Sequence, residues 1–517
     1  MITTTCLAAL WLVGAAEAGN AATIEARRLA SAPQDSKLKG VFVSPDPRRV
    51  GLIARRGAKE FAVLDGIPGE EFDAISSPLT FSPDSRNIAY VARNGADQYA
   101  VLNGFRSEGY DAIHSPTFSP DSSRFVYGAA KGSRRYLVLN GRRASDYDSL
   151  TAPFVFSPDS RRLAYVAGKD GKEFVVNEGA VQEPFDIVLQ PLSFSPDSKH
   201  LGYVGLQGAK EYAVVDGVKG ADFERLLQPV TFSPDSRHFA YLARRGQTEF
   251  AVLDWRKQED FSRILSGLAF TGDSRHLGYV VKQEAGAAVV LDGHRGAPYD
   301  QVTSGLYFSG DCKHVAFTAR QQRKEFIVVD GMKGPDFDSV GQLLFSGDFG
   351  RQAYVARQNG KSFAVVDGTP CEEFDRVGAL SFSPNLKRTA YLARYRTHKW
   401  LVVDGIKEPA DGEIETYGFT PDSGRMWFVE KLGAKKRLVF DDAKGAEVDG
   451  LWMFTFSPAC DKLAYVGVRG KKSSVVVGAL ESPDYDEIWA LAFDGPKGLV
   501  FNAREGNDVW RVSMKLE

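Results

Sequence analysis

Four histidines, His200, His238, His276 and His314, each stand six residues after a phenylalanine, at intervals of 38 residues. Imidazoles at a fixed spacing invite a metal site. Equivalent positions in a repeat are a whole unit apart, however. Rings so related should lie roughly 10 Å or more from one another, beyond the ~2 Å that each ligand bond requires. Other copies carry Asn87, Arg124, Arg162 and Arg351 at the same place, so the position reads as a polar surface site. One carboxylate per copy, as at Asp73, Asp111, Asp148 and Asp186, suggests calcium or acid–base chemistry. A constant register, where one unit leads into the next, is better explained by turn hydrogen bonding. No metal and no cofactor is expected.

Positions that break the pattern are more informative. Four residues before the anchor phenylalanine the chain places His114, Gln190 and Gln228 in its first half, and Glu415, Trp452 and Trp489 in its second, with Tyr417 beside Glu415. Two indole faces near a carboxylate could receive a sugar or a peptide cation. The alternative is that both tryptophans fill space between repeats. No G-x-S-x-G elbow, phosphate-binding loop, dinucleotide fingerprint or H-E-x-x-H pair occurs, so an enzyme is not expected.

The elements that position these residues come from a single repeat. Phe81-Ser-Pro-Asp-Ser-Arg86 returns at Phe118, Phe156, Phe194 and Phe232, then loosens, as at Phe270-Thr-Gly-Asp273 and Phe456-Ser-Pro458. Thirteen anchors run from Val43 to Phe493 at spacings of 37 or 38 residues. Around Phe232, Val230-Thr-Phe232 alternates as a strand, Ser233-Pro-Asp-Ser236 is a turn, and His238–Ala243 is a second strand. Glu249–Asp254 is a third, and in most copies this strand ends in Asp-Gly or Asn-Gly, a hairpin signal. A short fourth follows, as at Phe72-Asp-Ala-Ile75. Four short antiparallel strands in about 40 residues, repeated in tandem, specify a propeller blade. The fold class is therefore all-β, as tandem β-propellers of about thirteen four-stranded blades in two rings. Spacing and turn chemistry change near Phe308, which divides the chain into 38–303, of about seven blades, and 304–517, of about six. Six plus seven, cut near 267, is the alternative, supported by the irregular Asp254-Trp-Arg-Lys-Gln258. The last copy ends after its third strand, and the leader around Thr23–Ala26 supplies the fourth if the termini meet.

The unit Phe-Ser-Pro-Asp-Ser-Arg/Lys-x-x-Ala-Tyr-Val followed by Phe-Ala-Val-Val-Asp-Gly resembles the WD40-like repeat of TolB-type bacterial propellers over roughly residues 38–517. Two departures stand out: Ser usually replaces the turn Gly, and the small α/β domain that precedes the TolB propeller has no counterpart. The resemblance implies a cell-envelope binding or scaffold protein and carries over no partner.

Composition narrows the partners. Lys+Arg 64 against Asp+Glu 66 in 517 residues gives no basic field for nucleic acid or an anionic membrane surface. Residues 1–18 have the apolar run and the Ala-x-Ala end of a signal peptide, and 19–37 form a leader. No other stretch is apolar enough to span a membrane. Cys312, Cys371 and Cys460 are odd in number and widely spaced, so no disulfide framework is encoded. The expected function is a secreted or periplasmic scaffold that binds a protein or peptide. The alternative is a propeller enzyme or a carbohydrate-binding lectin with its site at the second channel mouth, around Trp452 and Trp489.

Overall fold

The computed structural model describes residues 23–516, except for the side chain of Gln190. Residues 1–18, read above as a signal peptide, lie outside the described residues. All regular elements are strands, and they form thirteen antiparallel sheets. Each sheet is a blade. Blade 1 is Lys37–Val43, Val50–Arg56, Lys59–Leu64 and Ile67–Pro68, paired in that order, and later blades repeat the meander. In blades 2 and 8 the first strand is broken into two short pieces. The all-β class and the thirteen β-propeller blades are those that the anchor spacing predicts.

Contacts gather the chain into two compact units. One comprises residues up to Ser107 and from Phe374 onward, with blades 1, 2 and 10 to 13; the other is Glu108–Glu373, with blades 3 to 9. The division expected at residues 303–304 from spacing and turn chemistry is a different partition of the same thirteen blades.

Blade 13 is built from both ends of the chain. Glu487–Phe493, Gly498–Glu505 and Asp508–Lys515 supply three strands, and Thr23–Ser31 supplies the outermost one, with Thr23 opposite Lys515 and Ser31 opposite Asp508. The leader thus supplies the fourth strand of the last blade.

The core lies between neighbouring blades. Val126 and Tyr147 of blade 3 bury against Phe154, Leu163 and Tyr165 of blade 4. Blades 12 and 13 share a cluster containing Val466, Val475, Ile488, Leu499 and Phe501. Full burial of such a side chain contributes about 1.5–3 kcal/mol, and the contribution recurs along the whole repeat.

The Ser-Pro-Asp turn links blades as well as reversing the chain. In blade 5, Ser195 Oγ donates to Asp197 Oδ1 at 2.6 Å and accepts the His200 N–H at 2.9 Å, while Asp197 Oδ1 accepts the Lys199 N–H at 3.1 Å. These bonds hold the Asp197 carboxyl down at about 2, chiefly through Ser195. The fourth turn residue is left-handed, with φ of +64° at Ser85 and +67° at Ser198, a conformation that favours glycine. Serine is there because its hydroxyl accepts from the preceding blade: Asp46 N–H reaches Ser85 Oγ at 3.0 Å, and Asp159 N–H reaches Ser198 Oγ at 2.9 Å. Cys312 stands in the same place and takes the Asp273 N–H on Sγ at 3.3 Å. That accounts for one of the unpaired cysteines and for a serine, not a glycine, at most of these turns. Ser198→Ala should cost about 1–3 kcal/mol by orphaning the Asp159 amide. Ser198→Gly should cost about 1 kcal/mol less, because the left-handed strain goes with the hydroxyl. Urea midpoints of the two variants check this ordering.

Candidate functional site

The irregular position four residues before each anchor has a structural cause. The first strand of most blades carries a bulge there, with register slips between His114 and Thr117, Gly378 and Ser381, Trp452 and Thr455, and Trp489 and Ala492. The residue after the slip begins is left-handed, as at Ser115 (φ +53°), Ala379 (+51°), Met453 (+59°) and Ala490 (+57°). A bulge bends its strand and re-aims the side chains next to it, so neighbouring copies solve this position differently.

In the unit of blades 3 to 9, the His114 ring fills the space over Gly128, where an added Cβ would lie 2.2 Å from it, and stacks on Phe154 with centroids 5.8 Å apart. Burial holds its pKa below the usual imidazole value. Gln228 ties two blades together: Oε1 accepts the Leu268 N–H at 2.8 Å, and Nε2 donates to Thr231 Oγ1 at 3.1 Å. The backbone of Gln190 runs in the strand Ile187–Phe194, and its side chain lies outside the described residues.

In the other unit, the Tyr417 hydroxyl accepts from Ser381 Oγ at 3.1 Å and reaches the carbonyls of Ala379 and, at 2.8 Å, Ala390. Burial pushes its pKa up to about 12. Glu415 is paired with Lys436 at 2.6 Å. Trp489 packs against the cluster of Ala30, Val50 and Leu52. Trp452, 41% exposed, keeps an indole face open to solvent. Trp489→Ala should therefore cost about 2–4 kcal/mol by leaving a cavity, whereas Trp452→Ala should leave the melting temperature within about 2 °C of the parent. Thermal melts separate the two, and glycan binding lost on Trp452→Ala alone would mark that face as a sugar platform.

The four histidines do a shared structural job. Each donates from Nδ1 to the Asp that ends the third strand of its own blade: His200 to Asp216, His238 to Asp254, His276 to Asp292 and His314 to Asp330, all at 2.6 Å. The other oxygen of each Asp accepts a backbone N–H, as from Leu201 at 2.9 Å. The His200 ring stacks on Phe232, the anchor of the next blade, at 6.2 Å. Where the position holds Arg, a guanidinium takes both roles, as Arg388 does with Asp404 at 2.9 Å and over Phe419 at 5.4 Å. Only the constant interval of 16 residues between partners signals this pairing in the sequence. The repeated aspartates form turn hydrogen bonds, as their register implies: Asp73 accepts the Gly95 N–H at 2.6 Å and Lys59 Nζ at 2.7 Å. Among the described residues no three His, Cys, Asp or Glu side chains group as metal ligands.

The Asp-Gly hairpins are where the sequence places them, but the fourth strand is not at Phe72–Ile75: it is Ile67–Pro68, directly after the turn, and Ala74–Ile75 opens blade 2. The fourth strand of a blade is outermost and in most copies two residues long. Directly after the turn glycine stand Ile67 and Phe105 in successive blades of one unit, 72% and 82% exposed, and Ile406 in the same unit at 69%. In the other unit Val218 and Met332 hold this place, and Trp255 occupies the turn itself. The next residue is often a cation that is already engaged: Arg106 pairs with Glu70 of the preceding blade at 2.8 Å and lies over Tyr99. Lys219 likewise reaches Glu183 and lies over Tyr212. The apolar tips thus point outward while the charges beside them are satisfied.

No family model and no curated protein matches the chain. A solved structure described as the crystal structure of the eukaryotic initiation factor aligns at 12% identity over 70% of this chain and 98% of its own, with a TM-score of 0.31. Among the described residues no helix is long and apolar enough to cross a membrane.

Proposed function

We propose that the protein is a secreted or periplasmic scaffold whose outer hairpins hold protein or peptide partners. The observation that carries this reading is the recurrence of an exposed Ile, Phe, Val or Met at one register of the fourth strand. Single exposed apolar side chains are ordinary on any protein. A repeated register is less so: the residue that opens the outer strand is apolar and exposed in five blades, at Ile67, Phe105, Val218, Met332 and Ile406. Edges this short resist strand addition, so the partner is held through side chains: each tip is an apolar knob for a complementary pocket on the partner.

The test introduces a photo-crosslinking phenylalanine analogue at Phe105 or Met332, and at the polar counterparts His294 and Thr369, in cells that make the full chain with its leader. Discrete protein adducts at the apolar tips, formed on a chain that is protected from cytosolic protease, are the expected result. Adducts of equal yield at His294 and Thr369, or none at any position, would overturn the reading.

A further inference from the structure

A third-strand acid recurs through the repeat and serves two groups at once. Glu60, Glu173, Glu249 and Glu325 accept backbone N–H groups fifteen residues on, from Ile75, Val188, Ile264 and Val340 at 2.8–3.0 Å. In blade 6 the same Glu249 neutralises Arg244 on the adjacent strand, which itself stands opposite Arg225. In blade 8, Glu325 neutralises Arg320 in the same way.

Blade 10 breaks this rule. Its row is Arg376 opposite Arg394 and Arg394 opposite Lys399, so a lysine stands where the acid belongs. Like charges directly opposite on neighbouring strands destabilise a sheet. Lys399 is drawn to Glu413 of blade 11. Neither Arg376 nor Arg394 has an ion-pair partner among the described residues. The row lines a cavity of about 560 Å³ between blades 10 and 11, walled otherwise by Gly378, Ala379, Leu392 and Ala393 and bounded by Glu413 and Glu415. Gly378 leaves it open, since a Cβ there would meet nothing within 4 Å. The Tyr417 hydroxyl fixes the Ala379 carbonyl beside it. The two carboxylates at the far side are already paired, Glu413 with Lys399 and Glu415 with Lys436, and do not neutralise the guanidinium pair.

We propose that this cavity is an anion site that takes a small ligand through a carboxylate or phosphate group, with Arg376 and Arg394 as its bidentate donors and Lys399 as the residue that frees them. Two adjacent guanidinium forks match the oxygens of such a group, and a cavity of this volume admits a small metabolite or the end of a peptide. An oxyanion between the strands removes the repulsion that the row otherwise imposes, so binding and local stability are coupled.

Calorimetric titration of the full chain with inorganic phosphate and with succinate, at matched ionic strength, tests the site and separates the two sources of charge. Saturable binding of at least one probe is expected, weakened at least tenfold by Lys399→Glu, which restores the blade 6 arrangement, and by Arg394→Gln. Arg225→Ala in blade 6 should leave binding unchanged. A Lys399→Glu chain that fails to fold would leave Arg394→Gln and Arg376→Gln to decide the matter. The proposal is overturned if neither probe binds, or if binding survives the blade 10 variants undiminished.

Discussion

Removing Thr23–Ser31 is expected to make the protein aggregate at room temperature. The segment pairs along its length with Asp508–Lys515. It also places Ala30 in the cluster with Val50, Leu52 and Val509, all at most 2% exposed. Counting about 1 kcal/mol net for each ladder hydrogen bond, the loss is on the order of 5 kcal/mol before any apolar surface is included. The exposed edge matters as much as the energy. Elsewhere the outermost strand is in most copies two residues long, and in blade 1 it contains Pro68, features that discourage intermolecular pairing. Deletion would instead uncover an edge eight residues long, Asp508–Lys515. Size-exclusion chromatography and thermal melts read the outcome, and a synthetic peptide of residues 23–36 added in trans should restore the parent's elution volume. A deletion variant that elutes with the parent and melts within about 3 °C of it would show that the strand is dispensable.

Glu430→Ala should be the most damaging single substitution considered, at about 3–5 kcal/mol, the cost of breaking a buried ion pair from one side. The Glu430 side chain is fully buried. It accepts from Arg437 Nε at 2.8 Å and Nη2 at 2.6 Å, and from the backbone N–H groups of Asp411 and Gly412 at 2.8 and 3.0 Å. Alanine leaves two amides unsatisfied and removes the principal counter-charge of a guanidinium that is itself mostly buried. The double replacement Glu430→Met with Arg437→Met should cost less than Glu430→Ala, since it removes the stranded charge. Guanidinium chloride unfolding of both variants measures the difference, and equal losses would count against this account.

What the sequence discloses about this fold is what lies within one blade. The anchor phenylalanines, the Ser-Pro-Asp turns and the Asp-Gly hairpins are local patterns of strand and turn chemistry, and they suffice for thirteen blades. Bonds between blades are harder to read. The Ser198 hydroxyl meets an amide 39 residues earlier, and Glu249 meets one 15 residues later in the following blade. Such partners become neighbours only through the packing of one sheet on the next, which no local pattern encodes. The candidate ligand residues suffered most from this. His114, Gln228, Tyr417 and Trp489 break the repeat because each blade accommodates its bulge with different neighbours. The fixed intervals of 15 and 39 residues are the trace of these contacts that the sequence does carry.

Blade 13 also sets a condition on synthesis. Thr23–Ser31 leaves the ribosome long before its partner strand, which begins only at Asp508. At roughly 5–20 residues per second, the early strand waits on the order of half a minute to a minute and a half with its backbone unpaired. Every nascent chain therefore passes through a period in which its other blades can form while one edge stays open. Any factor that shields that edge during translation would act on yield without altering the finished protein.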